Sequence, residues 1–488
     1  MNIKSKVIES VRWLFVAQLF SQLVRTGVTI YVIRELESEH MAFVAMAQTV
    51  IGFMELFSSL GLGAAIVSKH NLTAKDLSNI AGMVLAVNLS LACAVFLLSD
   101  VFAQFYGTPE ISAILKVLSL GFVISAFSTV PSALLTKEMR FREISLIQVV
   151  ASVAGAITSF ILVTRGYLYW SIVFGGVAFM GTRVLLINIV NARFIFPRFS
   201  FSESIRHIAF GGFVTLYGIS WYLYTTLDVI IAGRLWEPQV LGLYAVAVQL
   251  TVIPLTKISP LLKQVAFPAY SLTLVQDAHK LEHYLSRSVK VSMGVCFPVY
   301  FGISCISFVF VPTVLGDEWQ GAALPLMYLC LAAPFRFLLE MVDPAVVAYR
   351  RPDVIFYNDF LILVVMVCGF YFVTSYSSEP AFLALVWTLL FPLLSLFATY
   401  NFCKAMKVKY MSVVNGIISP FLISASMWLV VYTFTRSFGD YMGAVSLLIS
   451  AIFLGAIVYC ALVLMLDRNL LEIYKGLLRR DESLIEKI

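Results

Sequence analysis

Apolar runs of about 20 residues, parted by short polar connections, recur along the whole chain. That is the length a helix needs to cross the hydrocarbon of a bilayer. Fourteen spans can be drawn: 11–33, 41–63, 77–99, 111–134, 144–164, 167–190, 208–232, 240–262, 288–312, 322–348, 355–375, 381–403, 411–434 and 442–466. The pattern predicts an all-α, polytopic membrane protein with about 14 transmembrane helices. No large polar segment interrupts it, so nearly all of the mass belongs in the bilayer.

Composition agrees. The 488 residues are 60% hydrophobic and 13% charged, with a mean hydropathy of +0.91; soluble domains are about 25% charged. The net charge of +6 carries no nucleic-acid signal, because what matters in a membrane chain is its distribution. The N-terminus, 64–76, 135–143, 191–207, 263–290, 349–354, 404–410 and the tail hold 25 of the 34 Lys and Arg. The alternate connections hold Arg34, Lys116, Arg165, Arg234 and Arg436. Positively charged short loops stay in the cytoplasm, so both termini are expected there. The first run is full length, contains Arg25 and lacks a small-residue cleavage site, unlike a cleaved signal peptide. Seven cysteines without a CxxC pair predict neither a disulfide framework nor a metal site, and no cofactor motif is present. The polar segment 263–290 and the tail read as amphipathic stretches on the membrane surface.

The chain repeats itself at an offset of 200. Leu23, Thr26, Ile30, Arg34, Glu37, Ala45 and Ala47 match Leu223, Thr226, Ile230, Arg234, Glu237, Ala245 and Ala247. Both copies start on the same side of the membrane, as in transporters built from parallel repeats. The expected organisation is a six-helix bundle over 1–207, a second over 208–410, two further helices over 411–466 and a cytoplasmic tail over 467–488.

Several charges lie inside the spans. At 100° per residue, Gln18, Gln22, Arg25 and Thr29 form one polar stripe on the first span. Leaving a guanidinium in lipid costs at least about 2.5–3.5 kcal/mol, so the stripe must face protein or water. The second span offers Gln48 and Glu55, the sixth Arg183, the eighth Lys257, and the tenth Arg336, Glu340 and Asp343. The seventh presents Tyr217, Trp221, Tyr224 and Asp228 on one face. Arg25, Arg183, Lys257 and Arg336 would line a cavity for an anion, for which a diphosphate is the natural candidate because guanidinium forks match its oxygens. The aromatic face suits a sugar. Glu55, Asp228, Glu340 and Asp343 are candidate ion-coupling carboxylates. Plainer roles stay open at this stage: Arg336 and Glu340 are spaced to neutralise each other, Arg183 and Lys257 can snorkel to an interface, and an aromatic stripe also serves helix packing.

Three segments carry a resemblance. "TTLDVIIAGRLWEPQVLGLYAVAVQLTVIP" (225–254) places Asp228 before Gly233-Arg234 and then Leu241-Gly242-Leu243-Tyr244; "FSSLGLGAAIVSK" (57–69) and "VLGDEWQGAALPL" (314–326) follow the same order and spacing. With the 14-span layout they resemble the polysaccharide transporter (Wzx-type) family of the multidrug/oligosaccharidyl-lipid/polysaccharide flippase superfamily, and its colanic-acid and teichuronic-acid exporter branch in particular. The resemblance implies a non-enzymatic flippase that moves an undecaprenyl-diphosphate-linked oligosaccharide across a bacterial inner membrane. It also implies the lipid bilayer as a partner, with the polysaccharide polymerase and export machinery as candidate partners. The family pattern fixes no cavity residue. A multidrug or cation antiporter of the same superfamily is one alternative. A membrane glycan polymerase or transferase is another, although the chain has no DxD, Walker, HExxH or GxSxG motif in a suitable loop.

Overall fold

The computed structural model describes residues 21–58, 66, 73–191, 196–199, 212–276, 280–467 and 470, and their side chains except those of 212–217, 257–258, 260–276 and 280. Among the described residues the chain is a succession of fourteen α-helices. These are α1 (21–35), α2 (Ser38–Ser58), α3 (Ala74–Tyr106), α4 (Glu110–Lys137), α5 (Phe141–Thr164), α6 (Trp170–Asn191), α7 (Gly212–Leu235), α8 (Pro238–Gln276), α9 (Lys280–Val314), α10 (Ala323–Ala348), α11 (Pro352–Tyr376), α12 (Pro380–Met406), α13 (Tyr410–Phe438) and α14 (Ala444–Leu466). A 3-10 turn, Asp317–Ala322, leads into α10. Twelve of these helices are long and apolar enough to cross a membrane.

Contacts divide the chain into two compact units, Met1–Gly242 and Leu243–Ile488. In the first unit α7 packs against α2 and α3.

In the first unit α3 runs along α4, α5 along α6, and α4 along α6. α3 starts with a capping box in which Thr73 and Asp76 bond each other's backbone N–H, satisfying two donors that a helix start leaves open. Small residues set the α5–α6 approach. A Cβ on Gly155 would stand 2.9 Å from the Gly175 carbonyl oxygen, and one on Gly175 would stand 1.8 Å from Ser159 Oγ. In lipid, where oil-like tails remove the hydrophobic drive between helices, such close packing is what holds them together.

The repeat has a structural counterpart. α1 ends at 35 and α2 starts at 38; α7 ends at 235 and α8 starts at 238. Leu36 and Trp236 are buried in the two breaks, whereas Arg34, Glu37, Arg234 and Glu237 are exposed. The two turns meet: Gln239 Nε2 donates to the Glu39 carboxylate at 2.8 Å, so residues 200 apart in sequence are bonded to one another.

In the second unit α9 is the central strut, packed along α13 and α10 and touching α14. Trp428 Nε1 donates to Ser304 Oγ at 3.1 Å, tying α13 to α9. At the other end of these helices Asp467 accepts from Lys290 Nζ at 2.8 Å, Ser419 Oγ at 2.6 Å and the Leu470 N–H at 3.0 Å.

Segment 263–290 is helical on both sides of 277–279. α8 continues without a break to Gln276, and α9 starts at Lys280. The α8 helix has 39 residues, more than the about 20 a span needs. The tail beyond Leu470 lies outside the described residues.

Candidate functional site

In the first unit one of the sequence-predicted cations packs on the helix that carries another. The Arg25 guanidinium lies over the Phe179 ring, 5.3 Å from its centroid. Arg183 follows Phe179 by four residues on α6, hence on the same face. Arg25 is exposed and Arg183 half-buried. Among the described residues neither takes part in an ion pair. Cations near one another repel and favour an anion between them. The cation–π contact sets Arg25 in place through its flat face and leaves its N–H edge uncommitted.

The remainder of the α1 stripe is divided. Gln22 Nε2 donates to Thr26 Oγ1 at 2.8 Å, Thr29 is half-buried, and Gln18 lies outside the described residues. On α2, Gln48 and Glu55 are exposed. The aromatic face predicted for α7 is only partly open. Tyr224 and Asp228 are 3% and 1% exposed, and Trp221 is half-buried; the Tyr217 side chain lies outside the described residues. Asp228 accepts from the Val229 N–H at 2.8 Å. The aromatic that reaches α2 is Tyr222, which sequence reasoning passed over; its hydroxyl donates to the Thr49 carbonyl at 2.8 Å.

In the second unit Arg336 does not close on Glu340. Its guanidinium lies over Trp387 at 5.0 Å, while Glu340 accepts from the Ser259 hydroxyl of α8. The Lys257 side chain lies outside the described residues. Asp343 is within electrostatic reach of Asp359 on α11, a residue absent from the predicted set. Asp359 is 4% exposed and its Oδ2 has no hydrogen-bond partner. Beside it in sequence, Asn358 accepts from Asn401 Nδ2 at 2.7 Å. Asp359 is thus a buried intramembrane carboxylate with one unbonded oxygen, the kind of group that marks an ion pathway.

Fourteen helices, a repeated helix–turn–helix and fixed charges within the spans define a multi-pass membrane protein of transporter architecture. The family model described as "Polysaccharide biosynthesis protein" matches residues 14–324, and the chain belongs to that family. Among its relatives is the "Lipopolysaccharide biosynthesis protein WzxC" of Escherichia coli (strain K12), 24% identical over 377 residues, which are 76% of each chain. Another is the "Teichuronic acid biosynthesis protein TuaB" of Bacillus subtilis (strain 168), 24% identical over 382 residues, 78% of this chain and 79% of the relative. The fold is shared with "Lipid II flippase MurJ, inward closed conformation", with a TM-score of 0.73 and 13% identity over 94% of this chain and 99% of that one. The Wzx-type resemblance read from the three sequence segments is therefore borne out at the level of family and fold.

Proposed function

We propose that the protein is a flippase that moves an undecaprenyl-diphosphate-linked oligosaccharide (a capsule, exopolysaccharide or O-antigen repeat unit) from the cytoplasmic to the periplasmic leaflet of a bacterial inner membrane. Family membership and the fold shared with a lipid flippase support the substrate class. The observation that carries it is Arg25 seated over Phe179, four residues before Arg183 on α6, so that both guanidinium groups can serve a diphosphate. The Lys and Arg bias of the connections puts both termini in the cytoplasm. The two bundles, 1–207 and 208–410, are the halves that rock.

In this reading the head group enters from the cytoplasmic side and its prenyl chain stays in the lipid. Arg25 and Arg183 replace water around the diphosphate, with Arg336 and Lys257 as later contacts. The α1–α2 and α7–α8 turns lie on the periplasmic side. Their Glu39–Gln239 bond, together with the Ser38 carbonyl that abuts Gly242, acts as the exit seal. Loading must favour one state over the other for the cycle to turn. A potential negative inside favours outward movement by about 2.3 kcal/mol per charge per 100 mV. Asp343 with Asp359 is the best-placed pair to couple an ion; Glu55, Asp228 and Glu340 are the other candidates. The work is transport and not bond chemistry, so no residue is assigned a catalytic role.

The test is reconstitution. Proteoliposomes holding the protein should move a lipid-linked oligosaccharide between leaflets and leave a cationic dye untouched. Export of the dye without movement of the glycan lipid would replace this reading with the multidrug antiporter.

A further inference from the structure

The second unit holds a cavity that the transport route described above does not use. The end of α9, the turn after it, the end of α13 and the start of α14 enclose about 500 Å³, within the range of about 300–1,000 Å³ typical of small-ligand sites.

One wall is aromatic. Phe308 of α9 and Tyr432 of α13 line it, and the Arg436 guanidinium lies over both rings, 5.4 and 5.5 Å from their centroids. Trp428, one turn earlier on α13, stacks on Tyr432 at 4.8 Å with planes 7° apart, and its bond to Ser304 fixes the ring. The Tyr432 ring is thus held in place before any ligand arrives. The lining also carries Asp317 and Asp440. Arg436 closes on neither: among the described residues it takes part in no ion pair within 4.0 Å. The rings hold it by its face, which leaves its N–H edge pointed away from them and available.

This combination selects a ligand. The carboxylates accept hydrogen bonds from hydroxyls, the guanidinium donates to ring and hydroxyl oxygens, and the aromatic wall takes an apolar C–H face. A sugar ring offers all three. The three charged groups sum to −1, which disfavours a uronate or a phosphate. We infer that this cavity is a subsite for a neutral hexose. Its role in export rests on the flippase reading, in which this end of α9 and α13 is periplasmic and meets the glycan after it has crossed. Binding of the sugar does not depend on that reading.

The test uses the full-length protein in nanodiscs and saturation-transfer NMR with three probes: methyl α-glucoside, methyl α-galactoside and glucuronate. At least one neutral glycoside should receive saturation from the wild type. Arg436→Gln and Tyr432→Leu should weaken its binding at least about tenfold, or ~1.4 kcal/mol. Asp317→Asn, in an exposed turn where the fold tolerates it, should weaken the neutral glycoside and narrow the gap to glucuronate. No transfer from any probe, equal transfer in wild type and all three variants, or a wild-type preference for glucuronate would each overturn the assignment. Reconstitution of the same preparations separates the two claims. A wild type that flips the glycan lipid but binds no glycoside sinks the subsite alone. A wild type that binds the glycoside but flips nothing sinks the flippase reading alone.

Discussion

Gly242→Ala is the sharpest mechanical test of the structure. An added Cβ would stand 1.7 Å from the Ser38 carbonyl oxygen, 2.4 Å from its carbon and 3.0 Å from its Cα. All three atoms are backbone at the start of α2, so no side chain can swing aside. Ordinary contact lies near 3.5 Å, and the α8 and α2 starts must separate by about 1.5–2 Å. Overpacking of this kind costs about 1–3 kcal/mol. The cost falls only on the conformation in which these two helix starts abut. The ratio of sealed to unsealed molecules should therefore drop by about 5–150-fold. Spin labels at Glu37 and Glu237, both exposed in the equivalent turns, can report the change by pulsed electron resonance. The exposed Cys93, Cys368 and Cys460 would first be replaced by serine. Wild type should give one short distance, and Gly242→Ala should add a longer one. Gly218→Ala is the control: nothing lies within 4 Å of its added Cβ, and removing a helix-interior glycine should stabilise by about 1 kcal/mol or less. Identical distance distributions in Gly242→Ala and wild type would refute the reasoning.

Three further predictions concern the second unit. Arg336→Ala removes the cation over Trp387 and should lower stability by about 0.5–2 kcal/mol in thermal melts, with Arg336→Lys recovering part of it. Asp467 has its carboxyl held below the usual range: burial raises it, but the Lys290, Ser419 and Leu470 bonds together outweigh burial. A depressed carboxylate stabilises above its unfolded pKa of about 3.9 and loses that contribution as pH falls through its folded value. Melting temperature should therefore fall as pH drops below about 4, and Asp467→Asn should flatten that fall while costing about 1.5–3 kcal/mol at neutral pH. Asp359→Asn should abolish the dependence of transport on an ion or pH gradient while potential-driven transport continues; a gradient dependence equal to wild type would remove the Asp343–Asp359 pair from the coupling scheme.

The helix framework was legible because a bilayer imposes one length on every span, and a 20-residue apolar run states it locally. The repeat was legible because the seven matched positions surround a turn that both copies must make. Much of the site was not. The face of α7 follows from the 100° rule, but its rotation against α2 does not, so the face of Tyr224 was favoured where Tyr222 makes the contact. Arg25 was visible as an isolated cation, whereas its seat on Phe179 next to Arg183 depends on how α1 packs on α6. Asp359 could have been found. It interrupts the apolar run 355–375, but its place close to the start of the helix made it look like the polar end of a span. The length of α8 was missed because the polar residues after 262 end the hydrophobic pattern without ending the helix.

The most direct test of the central claim is the initial rate at which a tagged undecaprenyl-diphosphate oligosaccharide crosses proteoliposomes at equal protein content. Wild type would be compared with Arg25→Ala, Arg25→Lys and Arg183→Ala. A charge-assisted bond to a phosphate oxygen is worth about 1.5–3 kcal/mol, so each alanine variant should be about ten- to a hundredfold slower, with partial recovery in Arg25→Lys. Wild-type rates in all three would contradict the account, leaving Arg25 and Arg183 as packing residues and the diphosphate without its site.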